Sequence, residues 1–294
     1  MELLVIGADG LLGSNVAATA REGTVGTYHT ERPSLDVPLE QFDVRETDRF
    51  RELLAEYEPD AVVNCAAMTD VDGCETDPTE AAGVNAGAPG EIATVCTETG
   101  TRFVHVSTDY VFDGTAERPY TESAETGPRQ VYGETKLAGE QAVLSAAPDA
   151  LVPRLSFVYG VHRSTGDLTG FPAWVRDRLE AGEPTPLFTD QHVTPSRAGT
   201  VAEMVHDLLA MGASGLVHLA CRSCVTPYAF GEAVRRRLGV PDTLLEEGSL
   251  TDVDRPATRP AYTCLDVSRA EDLLGEQAPT LDADLSAVSE SLDG

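Results

Sequence analysis

Lysine is all but missing. Of the 21 basic residues one is lysine, Lys136, and every other is arginine. A chain that carries arginine everywhere else, yet keeps one lysine, points to a task that needs a compact ammonium with rotatable donors. Arginine's rigid planar fork does not supply that. Positive charge as a whole is scarce, with 49 acidic residues against 21 basic and a formal net charge of -28. A field of that sign repels phosphate backbones and anionic headgroups, which excludes nucleic acid and membrane as expected partners. The carboxylates are scattered along the chain, not gathered in a tail, so an acidic interaction segment is a poor explanation. They suit a salt-rich cytoplasm, where screening suppresses self-repulsion.

Long apolar runs are also lacking. No stretch approaches the ~20 residues that a membrane-spanning helix requires. The first residues have no basic region, and their short apolar run leads straight into a glycine turn, so no secretory leader is expected. The expected setting is cytoplasmic. There are 6 cysteines, and a cytoplasmic chain of this size needs no disulfides, so most are expected as small buried hydrophobes. Cys221-Arg-Ser-Cys224, with His218 just before it, has ligand-like spacing. It has no second pair and reads as a strand end running into a loop, so no metal site is expected.

What is present is a repeating alternation. At 294 residues and 41% hydrophobic content the chain can form one elaborated domain or two. Leu3 to Ile6 reads as a strand, Leu11 to Arg21 as its helix, and Thr24 to Tyr28 as a second strand. Glu46 to Tyr57 is amphipathic, with Phe50, Leu53, Leu54 and Tyr57 on one face. Ala61 to Cys65 and Phe103 to Ser107 are apolar runs of the kind buried in a parallel sheet. Pro128 to Ala146 reads as a helix and Leu151 to Tyr159 as a further strand. After Gly160 the pattern loosens, with a helix at Phe171 to Glu180 and a strand at Leu216 to Ala220. Thr226-Pro227 has the form of a helix cap followed by proline at the first turn. The expected fold is α/β: a Rossmann-type doubly wound parallel sheet over 1–160, then a smaller C-terminal substrate-binding α/β region over 161–294.

Gly7-Ala-Asp-Gly10-Leu-Leu-Gly13 follows the first strand and opens the first helix. The first glycine permits the tight turn, the second lets backbone approach a pyrophosphate, and the third lets helix and sheet pack closely. The helix start then offers free N–H groups and a positive dipole end to phosphates. A dinucleotide is therefore expected here. Its identity stays open between NADP and NAD. The second strand ends in Tyr28-His29-Thr30-Glu31-Arg32, with no carboxylate at its tip for a ribose 2′-hydroxyl. His29 and Arg32 suit a 2′-phosphate and Glu31 opposes one, so the balance tips towards NADP.

Val106-Ser107-Thr108 ends a strand at the carboxyl edge, where open α/β sheets bind ligands. Tyr132-Gly-Glu-Thr-Lys136 lies on a helix, and its i,i+4 spacing puts both side chains on one face. A tyrosine with a reference pKa of about 10 is a poor acid–base at neutral pH unless a cation stabilises its phenolate. Lys136 can supply that charge and hold a nicotinamide ribose. Thr108 can orient a substrate oxygen while Tyr132 donates the proton as hydride arrives at carbon.

The chain resembles the extended short-chain dehydrogenase/reductases and, within them, the dTDP-4-dehydrorhamnose reductase group. The matching stretches are Gly7 to Gly13, Asn64 to Asp72, Val106 to Gly114, Tyr132 to Glu140, Arg154 to Gly160 and Arg255 to Pro260. The most specific is Val106-Ser-Thr-Asp-Tyr-Val-Phe-Asp-Gly114. The resemblance implies reduction of a 4-keto-6-deoxy sugar attached to a nucleoside diphosphate, with Thr108, Tyr132 and Lys136 catalytic. It implies cofactor contacts at Gly10, Leu11, Leu12, Asp43, Val44, Ala66, Ala67 and Val106, and a sugar nucleotide near Thr108, Asp109 and Phe157. It also implies a homodimer. Two positions depart from the pattern. Phe157 stands where the group usually has tryptophan, keeping a stacking surface but losing the indole donor. Met68 stands where an aromatic residue or histidine is usual. Both fall on the substrate side, where a different sugar or base would be felt.

Three other activities share these features. A 4,6-dehydratase needs a carboxylate pair after the threonine, and here Asp109 is followed by Tyr110. A 4-epimerase also uses Tyr and Lys but recycles bound NAD. A non-catalytic subunit, such as the β-subunit of methionine adenosyltransferase, would bind cofactor and a partner enzyme. The complete Thr108, Tyr132 and Lys136 set argues against that last reading.

Overall fold

The computed structural model describes residues 1–20 and 23–292. Its first seven strands are β1 (Leu3–Ile6), β2 (Val25–Tyr28), β3 (Leu39–Gln41), β4 (Ala61–Asn64), β5 (Arg102–His105), β6 (Ser107–Thr108) and β7 (Leu151–Leu155). Then come β8 (Val158–Val161), β9 (Leu168–Thr169), β10 (Thr185–Phe188), β11 (Ser196–Arg197), β12 (Gly215–His218) and β13 (Leu245–Gly248). The main sheet has the order β12-β7-β5-β4-β1-β2-β3, with β6 also paired to β7. Every pairing in it is parallel. The order reverses between β1 and β4, and a crevice forms at the strands' carboxyl ends at such a switch point. This is the Rossmann-type arrangement the sequence predicts, but it is not confined to 1–160. β12 is one edge strand, and Val201, Val205 and Leu208 of a later helix join the core on one face.

The strands are apolar on both faces because both faces are covered. Leu3, Val5, Val63, Val104 and Leu151 join one core with Leu12 and Val16 of α1 (Leu11–Thr19). Leu4, Ile6, Val62, Phe103 and Val152 point the other way, as a period of two requires. There they meet Phe50 and Leu53 of α2 (Thr47–Tyr57). Two short helices, α3 (Val71–Thr76) and α4 (Pro78–Ala82), lead into a π-helical turn at Gly83–Gly87. Beyond it, α5 (Ala88–Thr99) and α6 (Val131–Ala146) complete that second face. A third core, built on Tyr159, Val175, Leu187, Phe230 and Leu285, holds the small sheets β11-β8-β9 and β10-β13.

Several expectations need correction. The run Leu151 to Tyr159 is two strands, not one. β7 stays in the main sheet, while β8 joins β11 and β9. Phe157 makes the break with a φ of 48°, a left-handed conformation that an aromatic residue adopts only when its surroundings hold it there. The run Phe103 to Ser107 likewise divides, into β5, which pairs with both β4 and β7, and β6, which pairs with β7 alone. The helix expected from Pro128 begins at Val131, and the expected helix end at Arg21 lies outside the described residues. Thr226 does cap the helix Pro227–Leu238, accepting from the Ala229 N–H at 3.1 Å. The cysteine expectation fails at one pair, for Cys224 is disulfide-bonded to Cys264, 40 residues on, with a Cα–Cα distance of 5.6 Å. Cys221 is a free, buried thiol, so the Cys221–Cys224 spacing does not act as one unit. Among the described residues, no helix is long and apolar enough to cross a membrane.

Candidate active site

β1 runs into Gly7, which has a φ of 79°. A Cβ there would stand 2.9 Å from the Ala66 amide nitrogen, and one at Gly13 would stand 2.0 Å from the Gly7 carbonyl oxygen. The turn and the close approach of helix to strand therefore require glycine at both positions. Gly10 is different. A Cβ on it would meet only the Gly7 oxygen, at 3.4 Å, and its bare side faces the cleft. What needs that space lies outside the chain's own packing, as expected where backbone must approach a pyrophosphate. The first amides of α1 open on the same side, and a helix start attracts phosphate. Gly13→Ala forces the Gly7 peptide aside, and overpacking of this kind costs about 1–3 kcal/mol. The expected result is dinucleotide affinity lower by about tenfold or more, read by NADPH fluorescence titration. Unchanged affinity would refute this account of the loop.

The loop opens on a cleft of about 820 Å³. One end is built at the tips of β2 and β3. His29 lines it, but Arg32 turns away to donate to the Leu39 carbonyl and lies over the Tyr28 ring. Arg45, which the sequence reading did not single out, takes that place in the lining. Asp43 and Val44 line this end too. Arg45 grips Asp43 through two bonds of 2.9 and 2.6 Å and reaches Glu80 at 2.7 Å. That hydrogen-bonded guanidinium holds the Asp43 carboxyl down at about 2. Arg45 carries no signal of its own in the sequence, because its role arises where the β3–α2 turn meets α4.

The other end holds the expected chemistry. Leu11, Leu12, Ala66, Ala67, Val106, Thr108, Asp109, Tyr132, Lys136 and Phe157 all line the same cleft as Gly7, Gly10 and Gly13. Lys136 is 2% exposed, and its ammonium donates to the Val106 carbonyl at 2.6 Å. Burial lowers its pKa to about 8, so it is charged at neutral pH and has further N–H donors to spend. Tyr132 packs edge-on against Tyr110 at 6.0 Å between ring centres. Burial pushes its phenol above the ordinary value, and a hydrogen bond with Thr108 offsets this only in part. The net effect on Tyr132 in this arrangement is therefore upward. Desolvation outweighs any help from an ammonium already held by a backbone carbonyl.

Two further residues matter here, Ser107 of the predicted strand end and Asn85, which no signal in the sequence singles out. Ser107 lines the cleft with its Oγ buried and without a hydrogen-bond partner, an orphaned polar atom that suits a polar ligand group. Asn85, in the π-helical turn, clasps the Met68 backbone through two bonds of 2.9 and 3.1 Å and also donates to Thr135 at 3.2 Å. It fixes the loop after β4 to α6, the helix that bears Tyr132 and Lys136. A π-turn at a functional site is a recurring device, but periodicity in a sequence does not reveal one. The bare Gly10, the unpartnered Ser107 hydroxyl and the spare Lys136 donors together fit a dinucleotide lying along the cleft.

Residues 1–293 match the family model described as RmlD substrate binding domain. The chain belongs to this family. In keeping with that membership, it is 52% identical to the probable low-salt glycan biosynthesis reductase Agl14 of Haloferax volcanii, over 98% of this chain and 97% of that protein. It is 37% identical to the dTDP-4-dehydrorhamnose reductase of Mycobacterium tuberculosis, over 90% of this chain and 84% of that one. A crystal structure of a dTDP-4-dehydrorhamnose reductase from Clostridium acetobutylicum superposes with a TM-score of 0.86 at 27% identity, covering 100% of both chains. The family placement agrees with the extended short-chain dehydrogenase/reductase resemblance, which rests on motifs from Gly7 to Pro260.

Proposed function

We propose that this chain is an NAD(P)H-dependent reductase that converts a 4-keto-6-deoxy sugar nucleotide to its alcohol. The observation that carries the reading is the convergence of Thr108, Tyr132 and the only lysine of the chain in the cleft onto which the glycine loop opens. The amides near Gly10, Leu11 and Leu12, with Val44, Ala66, Ala67 and Val106, would hold the dinucleotide, which supplies a hydride when bound. Tyr132 delivers the proton. Its raised pKa suits that direction, because the phenol stays protonated across the working range until charge develops on the substrate oxygen. Lys136 holds the ribose side and limits the cost of the phenolate left behind. Thr108 orients the keto oxygen, and Asp109 and Phe157 flank the sugar side.

His29 and Arg45 favour NADP over NAD, since Asp43, the carboxylate beside them, is already tied to Arg45. In this reading residues 1–160 hold the cofactor and also bring Thr108, Asp109 and Phe157 to the sugar. Residues 161–294 interleave with them to complete the sugar side of a cytoplasmic homodimer. The net charge of -28 and the Haloferax relative both favour working at high salt.

The test is oxidation of NADPH and of NADH at high salt with a dTDP-linked 4-keto-6-deoxy sugar. The expected result is one reduced cofactor consumed per alcohol formed, with NADPH preferred. Cofactor that binds but is never consumed, by this or other keto-sugar nucleotides, would overturn the reading in favour of a binding subunit. Interconversion of sugars without net consumption would favour an epimerase.

A further inference from the structure

We propose that Asp109 is a positioning residue that works in its neutral, protonated form, turning the Thr108 hydroxyl outward as a donor to the substrate's keto oxygen. The inference rests on the reductase reading and deepens it.

The argument is one of valence. A threonine hydroxyl has one proton to give and two lone pairs to fill. The Thr108 Oγ accepts from the Tyr110 N–H at 3.2 Å. It lies 3.0 Å from Asp109 Oδ1. If Asp109 is a carboxylate it can only accept, so it takes the Thr108 proton. Thr108 then shows the cleft a lone pair, and a ketone oxygen, which can only accept, finds no partner there. If Asp109 is protonated it gives its own proton to Thr108. Both Thr108 lone pairs are then filled, by Tyr110 and Asp109. Its one proton, which bonds the Tyr132 phenol oxygen in the absence of substrate, can turn to the ketone beside that phenol.

Burial of Asp109 extends the range in which the neutral form is held, to about pH 6. It is 3% exposed, and its other oxygen accepts from the Ser156 hydroxyl at 2.7 Å. Burial is the largest influence and moves its pKa up to about 6, against opposing hydrogen bonds from Thr263, Ser156 and Thr108. Charged and titratable neighbours do not reverse this. From its own turn comes Tyr110 and from α6 comes Tyr132, both pushed up by burial and so uncharged across this range. Lys136, also on α6, lines the same cleft but gives its ammonium to Val106. Arg255 and Arg259, from the segment after β13, bear on Tyr110, and Arg259 is already paired with Asp72 at 2.8 Å. The side of Asp109 away from the cleft is hydroxylic, formed by Ser156 and Thr263.

Asparagine is the discriminating substitution, because its amide can donate to Thr108 permanently while its oxygen still accepts from Ser156. Wild-type kcat/KM is expected to fall above about pH 6 as Asp109 ionises, by up to tenfold per pH unit. In Asp109→Asn that limb disappears and only the limb set by Lys136, near pH 8, remains. The ratio of variant to wild type therefore climbs with pH between the two. Asp109→Ala, which offers no donor, is expected to be slow at every pH. Ser156→Ala removes a donor that favours the charged form, so it shifts the wild-type limb to higher pH.

An infrared titration of the cofactor-loaded enzyme, without substrate, follows the protonated Asp109 carboxyl directly. It uses Asp109→Asn to identify the band, and it reads out even if the sugar assay fails. A rise of the midpoint in Ser156→Ala supports the proposal. A pH profile in Asp109→Asn that parallels wild type, or a carboxyl that titrates in the ordinary aspartate range and ignores Ser156→Ala, overturns it. Absence of wild-type turnover would instead count against the reductase reading.

Discussion

Tyr132→Phe is expected to lower turnover by about 10²–10⁴-fold, the range that a positioned proton donor contributes, while cofactor affinity stays close to wild type. No neighbour meets the keto oxygen as an acid of comparable strength. The Lys136 ammonium gives one N–H to the Val106 carbonyl, and in the proposed reading its others face the ribose and not the keto oxygen. Thr108 is a far weaker acid than a phenol, and the Asp109 carboxyl faces Thr108 and Ser156 inside the protein. Packing survives the change, since phenylalanine keeps the ring that stands edge-on to Tyr110. The glycine loop, at the far side of the cleft, is untouched. Steady-state rates paired with a fluorescence titration of NADPH separate the two quantities. A phenylalanine variant within a few-fold of wild-type kcat would remove Tyr132 from the chemistry.

Glu140→Ala has the largest expected effect on stability. Glu140 lies one helical turn after Lys136 and meets Arg154 of β7 in a two-pronged pair, with bonds of 2.8 and 2.7 Å. Both residues are 2% exposed. Removing the carboxylate strands a guanidinium whose Nη1 already lacks a partner and which lies over the Phe112 ring, 5.1 Å away. Breaking such a buried pair costs about 3–5 kcal/mol. At roughly 2–4 °C per kcal/mol for a domain of a few hundred residues, that lowers Tm by on the order of 10 °C. The damage reaches the cleft, because β6, with Thr108, is paired to β7 at Arg154 and Leu155. Replacing both partners, Glu140→Met with Arg154→Leu, should recover much of the loss, since no buried charge is left alone. Thermal melts of the two variants beside wild type decide it. A single variant melting within a degree or two of wild type would show that the pair carries no such stability.

The parts of this site that were legible beforehand are those whose geometry is local. A strand, a glycine turn and a helix in succession place Gly7, Gly10 and Gly13 without help from the rest of the chain. Four residues along a helix place Tyr132 and Lys136 on one face. The one lysine among arginines stood out from composition alone. Apolar runs such as Leu3–Ile6 and Ala61–Asn64 announced a sheet covered on both faces.

Other features come from chain segments that meet only on folding. Arg45 displaces Arg32 in the cleft because Asp43 and Glu80 draw it there. The Leu151 to Tyr159 run divides at Phe157 because two sheets compete for it, and no property of the run itself marks the break. Cys224 finds Cys264 and leaves Cys221 as a thiol, a choice that spacing had no means to express. Asp109 reads in the sequence as a substrate contact. Its burial against Ser156, 47 positions away, gives it a different environment from any exposed aspartate. The residue types and local spacings thus determine which chemical groups the cleft can hold. Their protonation, orientation and partners depend on desolvation and on contacts between distant segments, which exist only once the sheet, α6 and the small C-terminal sheets have closed around them.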